Sequence, residues 1–232
     1  MPRRFMSKPW LSLLLLTIMA GVIYNSWPLG YWLNPVVNRG LASDLEATGQ
    51  PYNWVFIAGD IISGLLICIA TVWLLSKLRQ TRSTWMKIGL IGFGVFGALT
   101  AVDALLPLDC VSVVQRCGPV LENPIVILHG VASMGSIAGL TLSIVSVWWL
   151  LARDERTAAS VRYLLHGTLL VWCGFGIATL ILIFLSRSSA LSQHIFITLC
   201  SVWTALLPYL IWKTLLQRGI LRKKVSSGQV IR

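Results

Sequence analysis

Six stretches of the chain, residues 10–27, 54–75, 88–108, 124–150, 163–185 and 191–212, are each long and apolar enough to cross a hydrocarbon layer. A layer about 30 Å thick takes roughly 20 residues of helix. Within it no water satisfies backbone N–H and C=O groups, so a segment that crosses must bond internally as a helix or close into a barrel. Runs this long and this continuously apolar read as helices. The expected architecture is an all-α bundle of six transmembrane helices, one domain over residues 1–232. The rest of the composition leaves no soluble alternative: with 56% hydrophobic and only 12% charged residues, there are too few polar side chains to cover a globule in water.

The formal charge of +11 would suggest nucleic acid in a soluble protein. Here the basic residues lie between apolar runs, and nucleic acid is not an expected partner. Of the 19 Lys and Arg residues, 16 fall on one side of the six-span scheme and three, Arg39, Arg116 and Arg187, on the other. The positive-inside rule then places both termini in the cytoplasm, in a multi-pass arrangement expected in a plasma membrane. The cluster Arg222-Lys223-Lys224 is read as topology and attraction to anionic membrane lipids. The first run, preceded by Arg3, Arg4 and Lys8, lacks a small-x-small cleavage site before Tyr24 and is expected to be a retained anchor. Tyr and Trp gather at the predicted boundaries, while Trp172 and Trp203 fall at mid-depth and are expected to pack between helices.

The longest outer loop, from Pro28 to Asn53, contains Asn34-Pro35 and a capping-box spacing in Ser43-Asp44-Leu45-Glu46. A short interfacial helix is expected there. In the next outer loop Cys110 and Cys117, on the side assigned to an oxidising compartment, are expected to form a disulfide. Cys68, Cys173 and Cys200 lie within spans and read as packing residues. The third span carries Gly89, Gly92, Gly94, Gly97 and Ala101, suited to close helix approach.

An ionisable group inside a span is costly unless it faces a cavity or a partner. The spans contain five: Asp60, Asp103, His129, His166 and His194. At 1.5 Å per residue, Asp60, Asp103, His129 and His194 each lie about 5–9 Å in from the outer ends of their spans. His166 sits one turn inside the opposite boundary and reads as interfacial. The faces around the four are small and polar: Ser63 and Gly64 beside Asp60, Thr100 beside Asp103, Ser133 and Ser136 below His129, Thr198 and Ser201 below His194. They are expected to line one outward-facing pocket for a lipid or small molecule. Two carboxylates and two imidazoles (Asp60, Asp103, His129, His194) are a sufficient ligand set for zinc, which could activate water. Without a metal, an Asp–His pair could act as general base with Ser133 as nucleophile. No H-E-x-x-H motif and no Gly-x-Ser-Gly turn is present. Whether the chain is an enzyme, or instead a transporter, sensor or assembly subunit whose polar groups are structural, stays open.

The motifs Tyr31-Trp32-Leu33-Asn34-Pro35, Asp60, Leu106-Pro107-Leu108-Asp109-Cys110, Cys117, His129-Gly130 and Ser133 resemble those of the bacterial membrane proteins grouped as domain-of-unknown-function family 998. The resemblance covers nearly the whole chain and implies six spans and a bacterial plasma membrane. It implies no activity. The set is also distantly similar to the intramembrane hydrolases that include alkaline ceramidases, which hold zinc with histidines and an aspartate. Six spans rather than seven, and no paired histidines on the last span, depart from that pattern.

Overall fold

In a computed structural model of the chain, residues 7–78, 83–111, 123–155, 157–184 and 190–226 are described, with the side chains of 179–184, 190 and 215–226 outside the description. Among these residues there is no strand. Six helices are long and apolar enough to cross a membrane: α1 (Lys8–Tyr24), α2 (Asn53–Lys77), α3 (Thr84–Ala104), α4 (Pro124–Ala152), α5 (Ala159–Phe184) and α6 (Ala190–Ser226). The chain is a helical membrane protein. Starts follow local chemistry. The Ser83 hydroxyl accepts the Met86 N–H at 3.3 Å, and Asn123 Oδ1 accepts the Ile125 N–H at 2.9 Å ahead of Pro124, whose missing N–H is harmless in a first turn.

The helices pack in sequence order around a ring, α1 on α2, α2 on α3, and so on to α6, which returns to α1. The tightest packing joins α3 to α4 and α2 to α3, and its cause is glycine. A Cβ placed on Gly64 would lie 2.4 Å from the Gly97 carbonyl oxygen, and one on Gly92 would lie 2.6 Å from that of Gly139. Neither crossing has room for any side chain, so backbones touch directly and van der Waals contact replaces the hydrophobic drive that lipid does not supply. Gly21 approaches Ser201 in the same way where α1 meets α6.

Around these crossings the interior fills with Phe93, Phe96, Ile67, Leu140 and Ile144. Trp172 and Trp203 are buried between helices, as expected, and their indole N–H groups donate to Thr141 and Ser143, both at 3.2 Å. The outside is apolar too: Val22, Val72, Met134 and Leu170 are all exposed, which suits hydrocarbon and not water.

The loop between α1 and α2 departs from expectation. In place of one interfacial helix it forms short turns, Trp27–Leu29, Gly30–Leu33, Val37–Arg39 and Ala42–Glu46. The last is capped from Leu41, whose N–H donates to Asp44 at 2.9 Å, rather than from Ser43. Gly40 and the β-branched pair Val36-Val37 interrupt any longer helix. The segment folds instead over a small core of Val37, Leu45, Ala47, Phe56 and Val111. It is pinned to the bundle by the Thr48 N–H donating to the Leu108 carbonyl at 2.7 Å and the Ala42 N–H donating to Gln193 Oε1 at 2.6 Å. Cys117 lies outside the described residues, so the disulfide expected with Cys110 does too; Cys68, Cys173 and Cys200 are free.

Gly92→Ala should lower the thermal midpoint in detergent, at a cost of about 1–3 kcal/mol for forcing apart two packed backbones. Gly174→Ala on α5, where a Cβ meets nothing within 4 Å, should be neutral or stabilising by up to about 1 kcal/mol. Equal melting shifts for the two variants would contradict the crossing as described.

Candidate functional site

Beneath the loop-covered end of the bundle lies a cavity of about 110 Å³. At roughly 10–15 Å³ per water position, it has room for on the order of eight waters or a comparably small molecule. Its walls come from α1, α2, α3, α4, α6 and the Ala42–Glu46 turn, and among the described residues its lining has three acids, Glu46, Asp60 and Asp103, and no Lys or Arg.

Asp103 organises one side. Its Oδ2 accepts the Ser133 hydroxyl at 2.8 Å, and its Oδ1 lies 3.1 Å from His129 Nδ1. That nitrogen is also 3.1 Å from the Leu106 carbonyl oxygen. Both neighbours are acceptors, so Nδ1 carries hydrogen. Hydrogen-bond geometry favours the carbonyl, and Oδ1 is left with the electrostatic attraction alone. His129 and Ser133 are one turn apart on α4, so a single carboxylate on α3 reaches both. Behind them Thr100 and Ser136 join hydroxyls at 3.3 Å.

Asp60 organises the other side. Its carboxyl lies within hydrogen-bonding reach of that of Glu46, which enters from the loop and is buried. A bond between two carboxyls requires a proton, because two carboxylates are both acceptors. Burial pushes Glu46 up to about 7; the Asp103 charge adds to this and the bond to Asp60 opposes it. Asp44, on the same turn, is also raised by burial, against the Leu41 N–H bond that lowers it.

The residues expected to share one site therefore divide. Asp60, Asp103 and Ser133 line the cavity, and His129 joins them through Asp103. His194 does not. Its ring stacks on Trp27, a wall residue, with centroids 4.2 Å apart and planes parallel within 1°. Its Nε2 is buried without a hydrogen-bond partner. His166 is exposed and accepts the Trp148 indole N–H at 3.2 Å, in keeping with an interfacial place. Much of the polar face predicted around the four ties helices together: Ser63 donates to the Ala20 carbonyl at 2.8 Å, and Thr198 to Asn25 Oδ1 at 3.1 Å.

The zinc expectation is corrected by this arrangement. Among the described residues no three His, Cys, Asp or Glu side chains are grouped so that they could hold an ion. Asp60 turns to Glu46, Asp103 to Ser133 and His129, and His194 to Trp27, so the four proposed ligands aim at different partners. Glu46 is the residue that reading the sequence missed. Its only signal is an acid in a predicted cap, and nothing local says that this turn folds downward.

The sequence matches the family described as "Protein of unknown function (DUF998)" over residues 10–208. The chain belongs to this family. The match takes in every lining residue of the cavity, from Tyr24 to Ile197, so the site is part of the DUF998 region itself. No curated protein gives a match. No solved structure gives one either.

The raised Glu46 pKa predicts that docking of the segment between α1 and α2 of this DUF998 protein depends on pH. Docked, it keeps its proton to about pH 7; released into water, it would titrate near 4.5. The docked form thus binds more protons between those values, and its advantage is full below about 4.5 and declines as pH rises toward 7. Among the described residues, the groups facing Glu46 are Asp60 on α2, Asp103 on α3, Tyr24 on α1 and the neutral Gln193 on α6. None is a fixed cation that would reverse the sign. Amide exchange at residues 42–48 should be slower at pH 5 than at pH 8 after correction for intrinsic rates, and Glu46→Gln should flatten the difference. A segment equally protected at both pH values would refute this coupling.

Proposed function

We propose that this protein binds a small cationic or hydrogen-bond-donating molecule in the acidic cavity, and that binding is linked to the proton held between Glu46 and Asp60. This is the behaviour of a proton-linked carrier or sensor. The observation that carries the reading is the lining: three carboxyls around one small space that, among the described residues, no Lys or Arg enters. Charge in such a place is strongly unfavourable unless a proton or a cationic guest offsets it. An amine or ammonium group entering beside Asp103 and the Glu46/Asp60 pair would do so, and would favour release of the shared proton. The 16-to-3 distribution of basic residues supports a cavity that opens away from the cytoplasm, with both termini cytoplasmic.

A second reading, acid–base hydrolysis, is favoured by the contact of Ser133, Asp103 and His129. The order of the contacts weakens it. An activated serine needs its general base on the hydroxyl, with a third group orienting that base. Here the carboxylate touches Ser133 and the imidazole lies behind it, so the weaker base would take the proton. Asp103 could still activate a water toward a bound ester or amide.

Thermal shift in lipid nanodiscs with methylammonium, ethylammonium and choline at pH 6 and 8, read with proton release in weakly buffered solution, tests the first reading. A stabilising, proton-releasing ligand lost in Asp103→Asn, with weakening of roughly tenfold or more for removing a charged partner, is the expected result. If no probe binds and Asp60→Asn and Asp103→Asn merely raise stability, the cavity is structural. Labelling of Ser133 by a fluorophosphonate, abolished in Ser133→Ala, would instead favour hydrolysis. Reporter fusions within residues 79–82 and after residue 226 should both report the cytoplasmic side.

A further inference from the structure

A second feature, unconnected with the acidic cavity, lies on the flank where α5 joins α4 and α6. Over its described residues α5 buries the smallest share of its surface of the six spans. Beside it opens a groove of about 360 Å³, lined by Ile144 of α4, Leu164, Val171 and Trp172 of α5, and Trp203 and Leu206 of α6. Apart from the hydroxyl of the exposed Tyr163, polar groups at its walls are already used. Both tryptophan N–H groups donate inward to Thr141 and Ser143, and the Thr168 hydroxyl donates at 2.8 Å to the Leu164 carbonyl of its own helix. Away from Tyr163, water entering would find no free partner, so the groove is a place for hydrocarbon. From Tyr163 to Val171 it runs about 12 Å along α5 at 1.5 Å per residue.

One end of the groove is basic. The Lys213 ammonium donates to the Ser160 hydroxyl at 3.3 Å and sits 5.6 Å from the centre of the Tyr209 ring. Ser160 is three residues before Tyr163, which places this charge about one turn beyond the mouth of the groove. Arg162 immediately precedes Tyr163. Among the described residues neither cation forms an ion pair. The acids nearest in sequence, Asp154 and Glu155, belong to the preceding loop. The contacts made by Lys213 are neutral and hold its ammonium beside the first turn of α5 without cancelling its charge.

We propose that this groove is a binding site for one anionic phospholipid, its acyl chain lying between α5 and α6 and its phosphate meeting Lys213 and Arg162. The apolar walls would accept any acyl chain. The unpaired cations at the mouth are what select an anionic headgroup over a zwitterionic one.

Native mass spectrometry of protein taken from nanodiscs of phosphatidylcholine with 20% phosphatidylglycerol tests the site. One phosphatidylglycerol per chain should survive removal of bulk lipid. Its retention should fall about fivefold for each of Lys213→Ala and Arg162→Ala, and stay unchanged in Lys87→Ala, an exposed cation at the start of α3. Gly167→Phe, which fills the groove from a position where a Cβ meets nothing, should expel lipid of either headgroup. Retained lipid that mirrors the bulk mixture and ignores Lys213 and Arg162 would overturn the proposal. So would a lipid-free dimer that Gly167→Phe dissociates, because a second copy would then occupy this flank.

Discussion

Direct backbone contact at two glycine crossings determines where every other group in the bundle can be. With Gly64 against Gly97 and Gly92 against Gly139, α2, α3 and α4 approach as closely as helices can, and neither register nor depth can slip without a clash. Asp60 lies one turn from Gly64, and Asp103 less than two turns beyond Gly97, both toward the loop-covered end. The crossing therefore sets two carboxyls at one level across a narrow gap. The Gly92 crossing does the same for α4, bringing Ser133 and His129 onto opposite oxygens of Asp103.

The loop between α1 and α2 supplies what the helices leave undone. Lipid-level acids need partners or protons, and among the described residues Asp60 has no cation to meet. The Ala42–Glu46 turn descends on its core of Val37, Leu45 and Phe56 and brings Glu46 to Asp60, adding a third acid rather than a counter-charge. Two carboxyls in contact share a proton instead of neutralising each other, which makes the pair responsive to pH in a way an ion pair would not be. On the proposed reading, loop docking, proton occupancy and the shape of the cavity form one linked equilibrium.

The cavity and the groove have opposite chemistries. Around α2, α3 and α4, tight packing encloses a small, acidic space. Along α5, loose packing leaves an open, apolar groove with cations at one end. Gly167, Gly174 and Gly176 show the contrast: on α5 glycine leaves free surface, where on α3 it permits contact.

Fold class was legible in the sequence because six continuous apolar runs admit one solution in lipid, and the starts at Ser83 and Asn123 follow from side-chain oxygens placed to cap them. Helical periodicity also put Asp60, Asp103, His129 and Ser133 on inward faces at a common depth, and the structure gathers these at one cavity and its wall. Periodicity is local, however, and says nothing of which faces meet. His194 shares the depth of the others yet stacks on Trp27, a residue some 170 positions away whose placement depends on how α1 meets α6. Glu46 looked like a cap residue until the loop was seen to fold inward. Depth and face belong to the sequence because a helix's rise and turn are constants; partners belong to the tertiary structure because they depend on which backbones can touch, and here glycine-to-glycine contact decided that.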